Sequence, residues 1–345
     1  MARLPVVLVS ALVLVFSTDR GAGADWRAGL TFTRVDSRGV YSVWIASADG
    51  SAPRKIAGRA AGGKLSSDGR WLSYHRLRRP LDGLVLLYVT DLATGSIRRI
   101  GLVSGEQWSP TGAKLAIVDE SGVVVVDPAS GGRRRIVRSP RVGRIGFSPG
   151  GRAIAYDRHN ARGGKPFRSD VFIVRLADRR ATRLTRDGHS ASPLWGPEWI
   201  VFERLVWRGG LRHAGRLWLM RPNGSEQRFL ARGAEGLRDR FPVFGLAPLA
   251  LSRDGRRLLA CQSFEFGCPR VTFTVPGGRR HGFPKLSPLE RRRYASPVDL
   301  SRDGDRVLLD VGNPHESDHD IYEIPFAGGA PRLVVRDAVD ASWRS

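Results

Sequence analysis

One short string constrains this chain more than any other feature. Leu251–Ala260 reads LSRDGRRLLA: an apolar residue leads into Ser252, Asp254-Gly255 makes a turn, and an apolar run resumes at Leu258. Asp accepts hydrogen bonds from its own backbone and Gly tolerates positive φ, so Asp-Gly between apolar runs encodes a tight hairpin. LSSDGRWLSY at Leu65, WSPTGAKLAI at Trp108, FSPGGRAIAY at Phe147 and LSRDGDRVLL at Leu300 repeat the pattern. SPLWGPEWIVFE from Ser192 keeps the apolar flanks without the Asp-Gly turn. The copies recur every 39–56 residues. A period of that size with four strands per unit is that of a propeller blade.

The second half of each unit repeats as well. VWIASADGSAPRKI, LYVTDLATGSIRRI, VVVVDPASGGRRRIV, VFIVRLADRRATRLT, LWLMRPNGSEQRFL and IYEIPFAGGAPRLV each read as a strand, a turn and a basic strand. Residues 268–275 offer a seventh, degenerate copy. The units resemble the WD40-like (PD40) β-propeller repeat of the TolB family. Asp320-Ile321-Tyr322 and Arg183-Leu184-Thr185 match its third- and fourth-strand elements. The resemblance covers residues 29–345, with no α/β domain ahead of the first blade as in TolB itself. It implies an all-β fold of four-stranded antiparallel blades, seven by repeat arithmetic, or six if the degenerate unit is an insertion. The C-terminal VDASWRS resembles a first strand, with Trp343 at the place of Trp108. It is expected to pair into the first blade and close the ring, which removes a free sheet edge.

Residues 1–24 read as a signal peptide: Arg3, an apolar core at Leu4–Phe16, and Ala22-Gly23-Ala24 as a cleavage site before Asp25. The mature chain, residues 25–345, is then one propeller domain, secreted, periplasmic or in the cell envelope. It touches a membrane only if the segment stays uncleaved. Cys261 and Cys268 lie at hairpin spacing, and an exported protein favours a disulfide between them. Two buried free thiols are the alternative.

The formal net charge is +23, from 56 Lys+Arg against 33 Asp+Glu, and only five of the 56 are lysine. Such a balance attracts anionic partners at low salt. The arginines are spread through nearly every repeat, which together with the export signal argues against nucleic acid.

Loops between second and third strands break the repeat and share one face. They carry Arg76, Arg78 and Arg79; Arg158, His159, Arg162, Lys165 and Arg168; and Trp207, Arg208, Arg212 and His213. Arginine forks bind carboxylates and phosphates, and a nearby Trp offers a stacking ring. Plain solvated arginine in long loops is the competing reading. His315, Asp318 and His319 in NPHESDHD are metal-ligand candidates, against an ordinary polar loop before a strand.

No GxSxG elbow is present; GHSAS at Gly188 lacks the second Gly. The blades account for residues 29–345, leaving no separate hydrolase domain among them. No cofactor site is expected, and the chain is expected to be monomeric. The leading expectation is a non-enzymatic binding module for a protein or an anionic envelope polymer. The alternative is a metal-dependent propeller lyase or hydrolase acting on acidic sugars.

Overall fold

A computed structural model describes residues 28–81, 84–160, 168–208, 211–233, 235–238, 241–264, 270–281, 294–312 and 319–344. The signal segment therefore lies outside the described residues. No described helix is long and apolar enough to cross a membrane.

The strands group into four-stranded antiparallel units, here called blades, in the order innermost, second, third and outermost, and a parallel bridge between Gly215 and Gly245 joins the fifth and sixth into one sheet. Blade 1 is Val339–Trp343, Leu30–Val35, Tyr41–Ala46 and Arg54–Gly58. Blade 2 is Ala60–Leu65, Trp71–Leu81, Leu84–Asp91 and Ile97–Val103. Blade 3 is Gly105–Trp108, Leu115–Asp119, Gly122–Val126 and Arg133–Arg138. Blade 4 is Val142–Phe147, Ala153–His159, Ser169–Arg175 and Ala181–Arg183. Blade 5 is Ser190–Trp195, Ile200–Arg208, Leu211–Met220 and Arg228–Arg232. Blade 6 is Phe241–Leu251, Arg257–Phe264, Arg270–Thr274 and Arg280–His281. Blade 7 is Tyr294–Leu300, Arg306–Gly312, His319–Pro325 and Arg332–Val335. The degenerate copy supplies the third strand of blade 6. A short extra strand, Glu235–Arg238, pairs with that blade's innermost strand. The C-terminal strand pairs antiparallel with Leu30–Val35, with Trp343 opposite Leu30.

Alternation along each strand sends successive side chains to opposite faces of its blade, and each face packs on a different neighbour. The core is accordingly divided into seven apolar clusters among the described residues, each shared by two consecutive blades. Trp108 of blade 3 packs against Trp71, Leu87 and Val89 of blade 2, and its indole N–H donates to the Lys64 carbonyl at 3.0 Å. Trp343 joins Leu30 and Phe32 to Leu308 and Ile321 of blade 7.

The repeated turn is explained by one buried hydroxyl. Ser252 Oγ donates to Asp254 Oδ1 at 2.6 Å and accepts from the Arg257 N–H at 3.0 Å. Gly255 closes the turn onto the Ser252 carbonyl with φ of +72°, and a Cβ there would come within 2.7 Å of Pro197. Ser66 and Ser301 do the same in blades 2 and 7.

The outermost strands are basic at a fixed register. The residues opposite Ile45, Val89, Val125, Leu219 and Glu323 are Arg54, Arg98, Arg134, Arg228 and Arg332. In blades 4 and 6 an arginine, Arg183 or Arg280, stands one residue away. Cys261 is buried in the second strand of blade 6, while Cys268 lies outside the described residues.

Candidate functional site

On the face that carries the second-to-third-strand loops, four blades share a local pattern: aromatic, variable residue, arginine. These are Phe32-Thr33-Arg34, Tyr74-His75-Arg76, Tyr156-Asp157-Arg158 and Phe202-Glu203-Arg204. The strand register sets a third-strand ring opposite each aromatic: Trp44, Tyr88, Phe172 and Trp218. The arginine, two residues on, stands on the same side of its strand and lies over that second ring. Its guanidinium carbon is 4.8 Å from the ring centroid of Trp44, 4.7 Å from Tyr88, 4.5 Å from Phe172 and 3.9 Å from Trp218. A guanidinium laid over a ring gains about 0.5–1 kcal/mol at an exposed site. It also holds its fork in one orientation, with the edge N–H groups outward.

Arg204 is committed to Asp187, at 2.7 Å, and to Gln227. Arg76 and Arg158 are exposed, and neither has an acidic partner among the described residues. Both were singled out by sequence. Arg168 is exposed too, and its backbone N–H donates to Asn160 Oδ1 at 2.7 Å, holding the base of the blade 4 loop. His159 is half-buried opposite Ser169. The side chains of Arg78, Arg79, Arg162, Lys165, Trp207, Arg208, Arg212 and His213 lie outside the described residues, as do His315 and Asp318.

The variable middle residues face the other way, toward the next blade. Thr33 Oγ1 accepts the Gly62 N–H at 3.3 Å and Asp157 Oδ1 accepts the Ser192 N–H at 3.1 Å. Asp310, at the equivalent place in blade 7, accepts the Asp340 N–H. Gly62, Ser192 and Asp340 all have positive φ, where the innermost strands bulge and lose register. A bulge frees a backbone N–H from the ladder, and a buried N–H needs an acceptor. Polar side chains that look like chemistry in isolation are therefore interblade struts. Sequence reading missed them because their identity changes from blade to blade.

Buried charge gathers on blades 2 and 3 and on blades 7 and 1. Glu106, its side chain 2% exposed, sits between Lys64 Nζ at 2.9 Å and His75 Nε2 at 3.0 Å. Burial alone would raise its carboxyl, but Lys64 and His75 outweigh burial and hold it at about 2. His319 Nδ1 lies 2.6 Å from Asp310 Oδ1. Burial raises both Asp310 and Asp340, and the Asp310 charge raises Asp340 further. Asp299, raised to about 6 by burial, accepts from Ser342 Oγ and the Trp343 N–H at 2.9 Å each. Across the ring, Arg144 of blade 4 reaches past blade 5 to donate to the Pro248 and Leu249 carbonyls of blade 6. Burial lowers its guanidinium pKa, opposed by Asp157 and Glu203.

Among the described residues no three His, Cys, Asp or Glu side chains come together as a ligand set. Of the described candidates, His319 is taken up by Asp310 on blade 7, and His159 stands on blade 4.

The sequence matches no family model and no curated protein. Solved structures share the fold. TolB from Acinetobacter baumannii is 14% identical over 92% of this chain and 66% of that one, with a TM-score of 0.54. The β-propeller domain of the Trilobed protease from Pyrococcus furiosus is 14% identical over 90% of this chain and 95% of that one, with a TM-score of 0.62. An oligogalacturonate lyase in complex with manganese is 15% identical over 90% of this chain and 86% of that one, with a TM-score of 0.59. The chain spans just under two thirds of that TolB. At these identities the likeness is one of fold.

Proposed function

We propose that this chain is an exported TolB-like propeller that binds a protein or an anionic envelope polymer on its loop face, without catalysing a reaction. The observation that carries this reading is the pair Arg76 and Arg158: exposed guanidinia, each held over a ring and free of any described acidic partner. Preoriented forks lose less entropy when they meet a carboxylate or phosphate. Export rests on residues 1–24, and the Cys261–Cys268 bridge belongs to the same reading. N-terminal sequencing of the secreted product, expected to begin at Asp25, and thiol titration before and after reduction test those two parts.

The test of the site is a binding screen against envelope polymers and envelope proteins at low salt. The double variant Arg76→Glu/Arg158→Glu should weaken the captured partner roughly tenfold or more by charge reversal. Its unfolding temperature should stay close to that of the parent, because both side chains are exposed. A full panel with no binding at low salt would sink the reading.

A second reading draws on the shared fold with a manganese-bound oligogalacturonate lyase: a metal-dependent propeller lyase or hydrolase acting on acidic sugars. It requires His213, His315 or Asp318 to converge with a described ligand. Metal-dependent cleavage of a uronate polymer would favour it over the binding module, with an unsaturated product marking a lyase and a saturated one a hydrolase.

A further inference from the structure

The outermost strands carry a second set of arginines at the opposite end of the blades from the loop face. Arg54, Arg98, Arg134, Arg228 and Arg332 occupy one ladder position in five blades, and Arg280 stands one residue away in blade 6. All six are exposed. Arg98 and Arg134 each give one terminal nitrogen to a carbonyl of the next blade, of Ala129 and Leu176 respectively. A carbonyl satisfies a donor without cancelling the charge. Arg228 lies 4.5 Å from the Trp199 ring centroid, and Arg332 is paired with Glu323 at 2.9 Å.

Charged side chains on edge strands also block edge-to-edge pairing. Either sign of charge does that, so blocking does not account for one sign at one register around the ring. Each of these arginines stands on the outermost strand of a different blade. A ligand that uses several of them must therefore be long, flexible and dense enough in charge to present an anion wherever an arginine falls. We propose that this belt binds a flexible linear phosphate polymer, through contacts separate from those of the loop face.

The experiment measures binding of the full chain to long-chain inorganic polyphosphate and to tripolyphosphate over a range of salt. A belt gains from each further blade that one polymer crosses, so the long chain should bind at least tenfold tighter per phosphate. Its affinity should fall steeply with salt, because each contacted phosphate releases counterions. The set Arg98→Gln, Arg134→Gln, Arg228→Gln and Arg280→Gln should lose roughly a hundredfold, each cation removed being one contact fewer. The same four changed to Lys should keep most of the affinity, since Lys preserves the charge and loses the fork. Arg76→Gln/Arg158→Gln should cost polyphosphate binding at least tenfold less than the belt set does, which keeps failure of the belt distinct from failure of the loop-face site. Equal affinity for the two phosphates would overturn the proposal. So would a Lys set as weak as the Gln set, which would mean that the forks act only as interblade struts. A loss on the loop-face variant as large as that of the belt set, or tighter binding of a uronate polymer or a single-stranded nucleic acid, would also overturn it.

Discussion

Glu106 shows what a single buried charge does in this ring. Its carboxylate is removed from water yet stays ionised, because Lys64 from blade 2 and His75 from the same blade both reach it. Its folded value of about 2 lies below the ordinary 4.5, so ionisation is favoured more in the folded chain than in the unfolded one. The pair therefore stabilises the fold at and above the ordinary value, and the contribution fades as pH falls toward 2. A shift of that size corresponds to about 3 kcal/mol. Glu106→Gln is expected to lower stability by roughly 2–3 kcal/mol at neutral pH, since it leaves Lys64 and His75 without their carboxylate. The deficit should shrink as the parent is acidified toward pH 2, measured by urea unfolding of both proteins. A deficit independent of pH would mean that packing, and not charge, holds this corner. Nothing in the local sequence GEQW announces the role, because both partners come from another blade.

At the scale of the element, the hairpin was the most legible part of the molecule. Every contact in the Ser-x-Asp-Gly turn is made within six residues, so the sequence repeats wherever the geometry does. The Ser252 hydroxyl serves the Asp254 carboxylate and the Arg257 N–H at once. Ser252→Ala should cost about 1–2 kcal/mol, as expected when a buried N–H loses its acceptor. Ser66→Ala lies in blade 2, far from blade 6, so the double variant should lose the sum of the two. Thermal unfolding monitored on both singles and the double checks this, and marked non-additivity would show coupling through the ring. The aromatic-x-arginine pattern was present in the sequence as well. It went unread because its meaning depends on cross-strand register: Arg158 matters through Phe172, which sits on another strand. The middle residues were less legible still. Thr33, Asp157 and Asp310 share a job but no chemistry beyond an oxygen acceptor.

The whole molecule has no single core. Each apolar cluster belongs to two blades, so a blade that loses one neighbour leaves one of its apolar faces exposed. The C-terminal strand is the piece on which this depends. Val339–Trp343 lies more than 300 residues from the strand it pairs with, and no local propensity brings the two together. Tight turns and basic strands were readable blade by blade, whereas this junction rested only on the likeness of Trp343 to Trp108. Asp299 ties the junction from the blade 7 side, accepting from Ser342 and Trp343. Its carboxyl is raised to about 6 from 3.8. The folded chain thus favours the protonated form, so stability from this group is full below about pH 4 and is lost as pH rises through about 6. The loss amounts to roughly 3 kcal/mol. Asp299→Asn keeps an oxygen for the Trp343 N–H and has no charge to bury. Its stability relative to the parent should therefore improve by that amount between pH 4 and pH 7. Asp310 and Asp340 titrate in the same direction, but both proteins retain them and their effect cancels in the difference. Guanidinium unfolding at each pH gives that difference. If the difference stayed flat, Asp299 would be titrating alike in the folded and unfolded chains, and the junction would be held by Trp343 and its apolar cluster alone.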